Sequence, residues 1–152
     1  MKAGIIYRGP SLLDGKPIVV IATLSNSNRK TGPAVQTDII REDINPLEAS
    51  KTGEDASICG DCNLRGKPTD DPKRKQATDR PCYVILSQGP LIVFKAYHRG
   101  VYPMADNWYD RNVLGRDRYV RVGTYGDPSA APAVVWEQLL QECSHYTAYS
   151  HF

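Results

Sequence analysis

Three of the four cysteines gather in one short region: Cys59 and Cys62 in Ile58-Cys59-Gly60-Asp61-Cys62, and Cys82 in Pro81-Cys82-Tyr83. The spacing Cys-x2-Cys-x19-Cys is compatible with a metal centre. Two thiolates with two residues between them can turn back on one ion, and Gly60 lets the backbone take the tight turn this needs. Cys82 precedes the apolar run Tyr83-Val84-Ile85-Leu86, which predicts a strand, so a third thiolate is expected from a strand start. A closed tetrahedral zinc site needs a fourth ligand, for which Asp61, His98, His145, His151 and Cys143 are the candidates. Cys143 is the weakest of these, because Trp136 to Glu142 before it reads as helix. With a protein fourth ligand the expected metal is structural zinc. With three cysteines and an open position, it is an iron–sulfur cluster with one iron free to bind a small molecule. The plain alternative is free thiols in a cytosolic protein. A disulfide framework fits poorly with so few cysteines in a chain long enough to build a core.

These residues need a scaffold, and the chain is long enough to supply one. Its 152 residues fit a single domain, 41 % hydrophobic and 24 % charged, with nine Tyr against two Phe. A net charge of +2 is too small to argue nucleic-acid binding by itself. No apolar run reaches membrane-spanning length, and Met1 to Ile6 lacks the pattern of a signal peptide, so the expected location is the cytoplasm and no membrane partner is expected. No period repeats along the chain.

In order, Ile18 to Leu24 is a continuous β-branched run that predicts a strand buried on both faces. Ala34 to Arg41 alternates and predicts a half-buried strand. Between them, Lys30-Thr31-Gly32 lacks the leading glycines of a phosphate-binding loop and reads as a solvated turn. Asn45 and Pro46 start a short helix that ends before Gly53. Residues 63–81 form an exposed basic loop: from Arg65 to Arg80 there are six basic and three acidic residues with two prolines. Lys73, Arg74 and Lys75 are its candidate contacts to a nucleic-acid backbone, although such charge runs are commonly solvated faces.

A strand is expected over Tyr83 to Ser87 and a helix from Pro90 to Gly100, with strand as the alternative for Ile92-Val93-Phe94. Tyr119 to Tyr125 predicts a strand, Pro132 to Leu140 a helix and Tyr146 to Tyr149 a last strand. Strand, helix and strand in so short a stretch make a βαβ unit with parallel neighbours. The last strand, rich in tyrosine, is expected at a sheet border, where a homodimer or a host protein would satisfy its backbone.

Taken together, Asn28 with Lys30-Thr31-Gly32, Cys59-Gly60-Asp61-Cys62, Cys82-Tyr83-Val84, Gln88-Gly89-Pro90, Gly123 to Pro128 and Tyr149-Ser150-His151 resemble the ordered motifs of a family of tailed-phage and prophage proteins. That family is distantly similar to the phage gene-product-88 family and to radical-SAM-like partial barrels. The resemblance implies a single α/β domain over residues 1–152, with a mainly parallel, partial-barrel-like sheet and a cysteine-bearing metal loop, made in the host cytoplasm. Two departures stand out: the CxxxCxxC of radical-SAM enzymes is absent, and relatives are expected to continue past the Tyr-Ser-His strand where this chain stops.

In parallel α/β folds ligands collect at the carboxyl ends of strands, where Asn28, Lys30, Asp127 and His151 are expected as ligand-binding residues. Asp127 in Gly126-Asp127-Pro128 has the competing role of helix cap, and His151 that of an exposed terminal residue. The sequence contains no Ser-His-Asp order, no HExxH and no carboxylate pair beside a histidine, so no catalytic residues are assigned. Two functions follow. One is a phage-encoded metal-binding accessory protein, with iron–sulfur or zinc, that acts by binding a host or phage macromolecule. The other is a small iron–sulfur enzyme.

Overall fold

Ile18 to Ala22 are wholly buried, and the rest of the sheet is laid on either side of them. The computed structural model describes residues 1–25 and 33–150. Five strands, β1 (Ala3–Pro10), β2 (Pro17–Ser25), β3 (Ala34–Arg41), β4 (Tyr119–Tyr125) and β5 (His145–Ala148), form one sheet in chain order. The helices are α1 (Pro46–Thr52), α2 (Ala56–Cys59), α3 (Gly89–His98), α4 (Trp108–Gly115) and α5 (Ala133–Leu140).

The α/β class is as expected, but the sheet is mixed and open rather than mainly parallel and barrel-like. The pairs β1/β2 and β2/β3 are antiparallel, whereas β3/β4 and β4/β5 are parallel. The reason is chain length. Only eight residues separate Ser25 from Ala34, whereas a parallel return needs a crossover of roughly a dozen or more. The long excursion from Arg41 to Tyr119 and the α5 crossover meet that need, and there the strands run parallel.

The expected strand over Ile18 to Leu24 and the expected βαβ unit are both present. β3 is buried nearly throughout rather than half-buried, because helices cover the face that its polar residues occupy. Asn45 caps α1 by accepting from the Glu48 N–H at 3.0 Å, and Gly53 ends the helix in the left-handed conformation. β1, α2 and α4 have no counterpart in the sequence reading.

Tyr83 to Ser87 is not a strand. Tyr83 and Ile85 are exposed while Leu86 is buried, and the segment turns directly into α3. Cys82 therefore comes from a loop, not from a strand start.

β4 carries a bulge. Gln36 of β3 faces Arg121, yet Asp38 faces Tyr125, so β4 advances four residues where β3 advances two. Thr37 pins the irregularity: its hydroxyl donates to the Arg121 carbonyl at 2.7 Å and accepts from the Gly123 N–H at 2.7 Å. Its own N–H donates to Thr124 Oγ1 at 3.2 Å. Gly123 sits at φ 73°, where an added Cβ would come within 2.8 Å of the Gly126 carbonyl oxygen.

Candidate metal centre

The two residues between Cys59 and Cys62 form the turn that the sequence leads one to expect. Cys59 closes α2 with its N–H on the Asp55 carbonyl at 2.8 Å, and Gly60 follows at φ 60° and ψ −133°. The Cys62 N–H then turns back to the Cys59 carbonyl at 3.3 Å. The Cys82 N–H reaches the Leu64 carbonyl at 3.3 Å, which ties the third cysteine to the chain just beyond the turn.

Arg65 braces this turn from the side. Its guanidinium donates to the Gly60 carbonyl at 2.8 Å, to the Gly53 carbonyl at 3.0 Å and to the buried Asp55 carboxylate at 2.7 Å. Burial pushes the Asp55 carboxyl above its ordinary value, and the hydrogen bond and charge of Arg65 act in the opposite direction. For Asp55 burial outweighs the pairing, whereas the Arg65 guanidinium is held above its ordinary value by the Asp55 hydrogen bond and charge despite its own desolvation.

Cys59, Cys62 and Cys82 line one cavity of about 530 Å³. Its other walls are Leu64, Val84 and the stretch from Gly123 to Asp127, with Tyr83 and Tyr149 exposed around it. The β4 bulge thus adjoins the thiols. None of the four cysteines is in a disulfide. Burial pushes the Cys59 thiol far above its ordinary range, Asp55 and Cys62 push it the same way, and Arg65 opposes them. A thiol so placed is protonated and is a poor nucleophile on its own, so its chemistry depends on a positive partner that displaces the proton.

The thiols ring the cavity without closing on a single ion. Among the described residues, no group of three or more His, Cys, Asp or Glu side chains is drawn together as a metal ligand set. The donor chemistry suits a soft metal or an iron–sulfur cluster, and the cavity is larger than one ion needs.

The fourth-ligand candidates lie elsewhere. His98 is on α3, with Nε2 2.8 Å from the Glu42 carbonyl and its ring against Phe94 and Tyr97. Cys143 packs against the core beyond α5. His145 stacks on Tyr119, and Asp61 is exposed. None of these four lines the cavity. His151, Asn28 and Lys30 lie outside the described residues. Ser25 and Ala34 pair at the end of the sheet opposite Tyr125, so β2 does not end on the Asp127 side as a parallel strand would. Asp127 does line the cavity, and it also caps the 3-10 turn Pro128–Ala130: one carboxylate oxygen accepts from the Ser129 N–H at 3.0 Å, from the Ser129 hydroxyl at 2.7 Å and from the Ser150 hydroxyl at 2.9 Å.

Lys73, Arg74 and Lys75 are exposed, but their loop is anchored. Lys67 and Thr78 exchange backbone hydrogen bonds, Ala77 donates its N–H to Ser50 Oγ at 3.1 Å, and Thr69 donates its N–H to the Lys51 carbonyl at 2.9 Å. No helix among the described residues is long and apolar enough to cross a membrane.

Sequence reading missed Asp55, Arg65 and Arg121. Arg65 falls within the basic loop by sequence, although its place three residues after Cys62 puts it beside the turn. Arg121 lies at alternate spacing with Gly123 on a strand ending in a Gly-rich turn, a pattern that turns it toward the cavity side. No family model, curated protein or solved structure matches this chain.

Proposed function

We propose that the chain is a metal-binding accessory protein of a tailed phage, with an iron–sulfur cluster or zinc held by Cys59, Cys62 and Cys82, and that it acts by binding a host or phage macromolecule. The observation that carries the metal reading is that three thiols from two separate segments line one cavity, with Arg65 bracing the turn that presents two of them. The phage assignment and the macromolecular role rest on the ordered sequence motifs. A cluster is favoured over closed zinc because the cavity is larger than one ion needs, and Asp127, the carboxylate that lines it, already has one oxygen engaged by Ser129 and Ser150.

Metal, sulfide and visible-absorbance analysis of the anaerobically purified full chain tests this. Iron with sulfide and a brown colour supports the cluster, and stoichiometric zinc in a colourless protein supports the structural site. Absence of any bound metal after reconstitution overturns the reading.

A second reading, a small iron–sulfur enzyme, is favoured by the size of the cavity and by Arg121 in its wall, which together leave room and a cationic group for a substrate beside the thiols. For either reading, β5 offers one edge for a partner or a second copy, since all four of its residues are exposed and it is an outer strand of the sheet among the described residues. Sedimentation of the full chain separates dimer from monomer.

A further inference from the structure

Across the sheet from the antiparallel side, Thr23 pairs with Gln36 and Gln36 with Arg121, so these polar side chains share one face. Asp38 lies two residues beyond Gln36 on that same face. Together with Pro90 and Val93 of α3 they line a second cavity of about 450 Å³, which adjoins the thiol cavity along Tyr83, Val84 and Arg121.

The polar groups of this second cavity are unevenly satisfied. Gln36 Oε1 accepts from Arg121 at 3.2 Å and from Thr124 Oγ1 at 2.9 Å. Asp38, by contrast, is only 6 % exposed and has no hydrogen-bond or ion-pair partner among the described residues. Arg121 lies near enough to favour its charge but forms no ion pair with it, and Tyr102 is the other titratable side chain that feels it. What little of Asp38 is exposed faces this cavity, and a carboxylate so far withdrawn from bulk water, with no partner among the described residues, is a group that a ligand in the cavity can satisfy.

We propose that this cavity is a binding site for a small organic cation, an alkylammonium or alkylguanidinium compound, whose charged head pairs with the Asp38 carboxylate and whose stem lies on Pro90 and Val93. A guanidinium head presents paired N–H donors that match a carboxylate's two oxygens, and the apolar α3 wall accepts the methylenes. The site does not depend on a metal at the cysteines.

Calorimetric titration of the full chain with n-butylguanidinium at pH 8 tests this, with neutral n-butylurea as the control. The pH is chosen because burial pushes the Asp38 carboxyl up to about 7, against the opposing charge of Arg121. The expected result is saturable binding of the cation alone, at least about tenfold weaker in Asp38→Asn, as loss of a charge-assisted pair implies. Saturable binding that is equal in Asp38→Asn, equal binding of n-butylurea, or no binding overturns the proposal. Should Asp38→Asn not fold, the side-chain carboxyl 13C resonance of Asp38 in the unaltered chain serves instead. It must move on addition of the cation, and a resonance that stays fixed through the titration overturns the proposal equally.

Discussion

The Arg65 guanidinium touches the Asp55 carboxylate at 2.7 Å and the Gly60 carbonyl at 2.8 Å, so one side chain ties the start of α2 to the turn that follows it. Asp55 is buried and Arg65 half-buried. Removal of the arginine alone takes away the ion-pair partner of a buried carboxylate. Arg65→Ala is expected to destabilise the fold by about 3 kcal/mol in urea denaturation. Metal affinity should drop by about 10–100-fold, as for other groups that orient a ligand without binding the metal. The paired change Asp55→Asn with Arg65→Ala should recover much of the stability and little of the affinity. Equal stability of Arg65→Ala and the unaltered chain would show that the bracing is incidental.

Single Cys→Ser changes at positions 59, 62 and 82 are each expected to remove most of the bound metal, while Cys143→Ser retains it. Elemental analysis after reconstitution is the measurement. Retention of full metal by any one of the first three removes that residue from the centre, and loss in Cys143→Ser would bring in a cysteine that packs elsewhere.

The Thr37 hydroxyl makes the two shortest bonds at the β4 bulge. Thr37→Val keeps the shape of the side chain but leaves the Gly123 N–H without its acceptor and the Arg121 carbonyl with only the longer bond from the Thr124 hydroxyl at 3.4 Å. The expected loss is about 2 kcal/mol by chemical denaturation. A variant as stable as the original would mean that the bulge holds without Thr37.

Asp38 gives the stability a pH dependence of unusual sign for a carboxylate. Burial raises its folded pKa to about 7 from 3.8, so between these values the folded chain holds the proton that the unfolded chain has lost. Its contribution is therefore fully present below pH 3.8, falls as pH rises toward about 7 and is constant above that. Relative to Asp38→Asn, the unaltered chain should lose on the order of 4 kcal/mol across this window. Denaturation at intervals from pH 4 to pH 8 checks the difference. A difference that does not change with pH would place Asp38 in contact with water or with a cation in the folded state.

Much of the scaffold was legible because single segments carry their own signals. Ile18 to Ala22 has only one environment that suits it, and Asn45 with Pro46 and Gly53 writes both ends of a helix. The cysteine turn was legible for the same reason, being local. What failed was non-local or ambiguous. Tyr83 and Ile85 look like strand residues, but Tyr83 lies at both cavities and Ile85 at the second, and an apolar residue at a cavity mouth cannot be told from one in a sheet by type alone. β1 was hidden by Gly4, Arg8, Gly9 and Pro10, whereas the Asn107 cap of α4, which accepts from the Asp110 N–H at 3.0 Å, was a readable signal passed over. The Asp38 cavity depends on which face α3 covers, and that is settled only by packing. The polar alternation of Gln36 and Asp38 marked a common face without saying that it would be buried.

Strand order equal to chain order has a consequence for synthesis. β1, β2 and β3 emerge first and pair antiparallel with neighbours close in the chain, so they can form before β4 is made. Cys59, Cys62 and Cys82 are then in solution well before Arg121 to Asp127 arrive to wall them in. Were the proposed metal bound, the thiols could take it up before the wall closes, and the supply of metal during synthesis would then set how much of the chain is loaded.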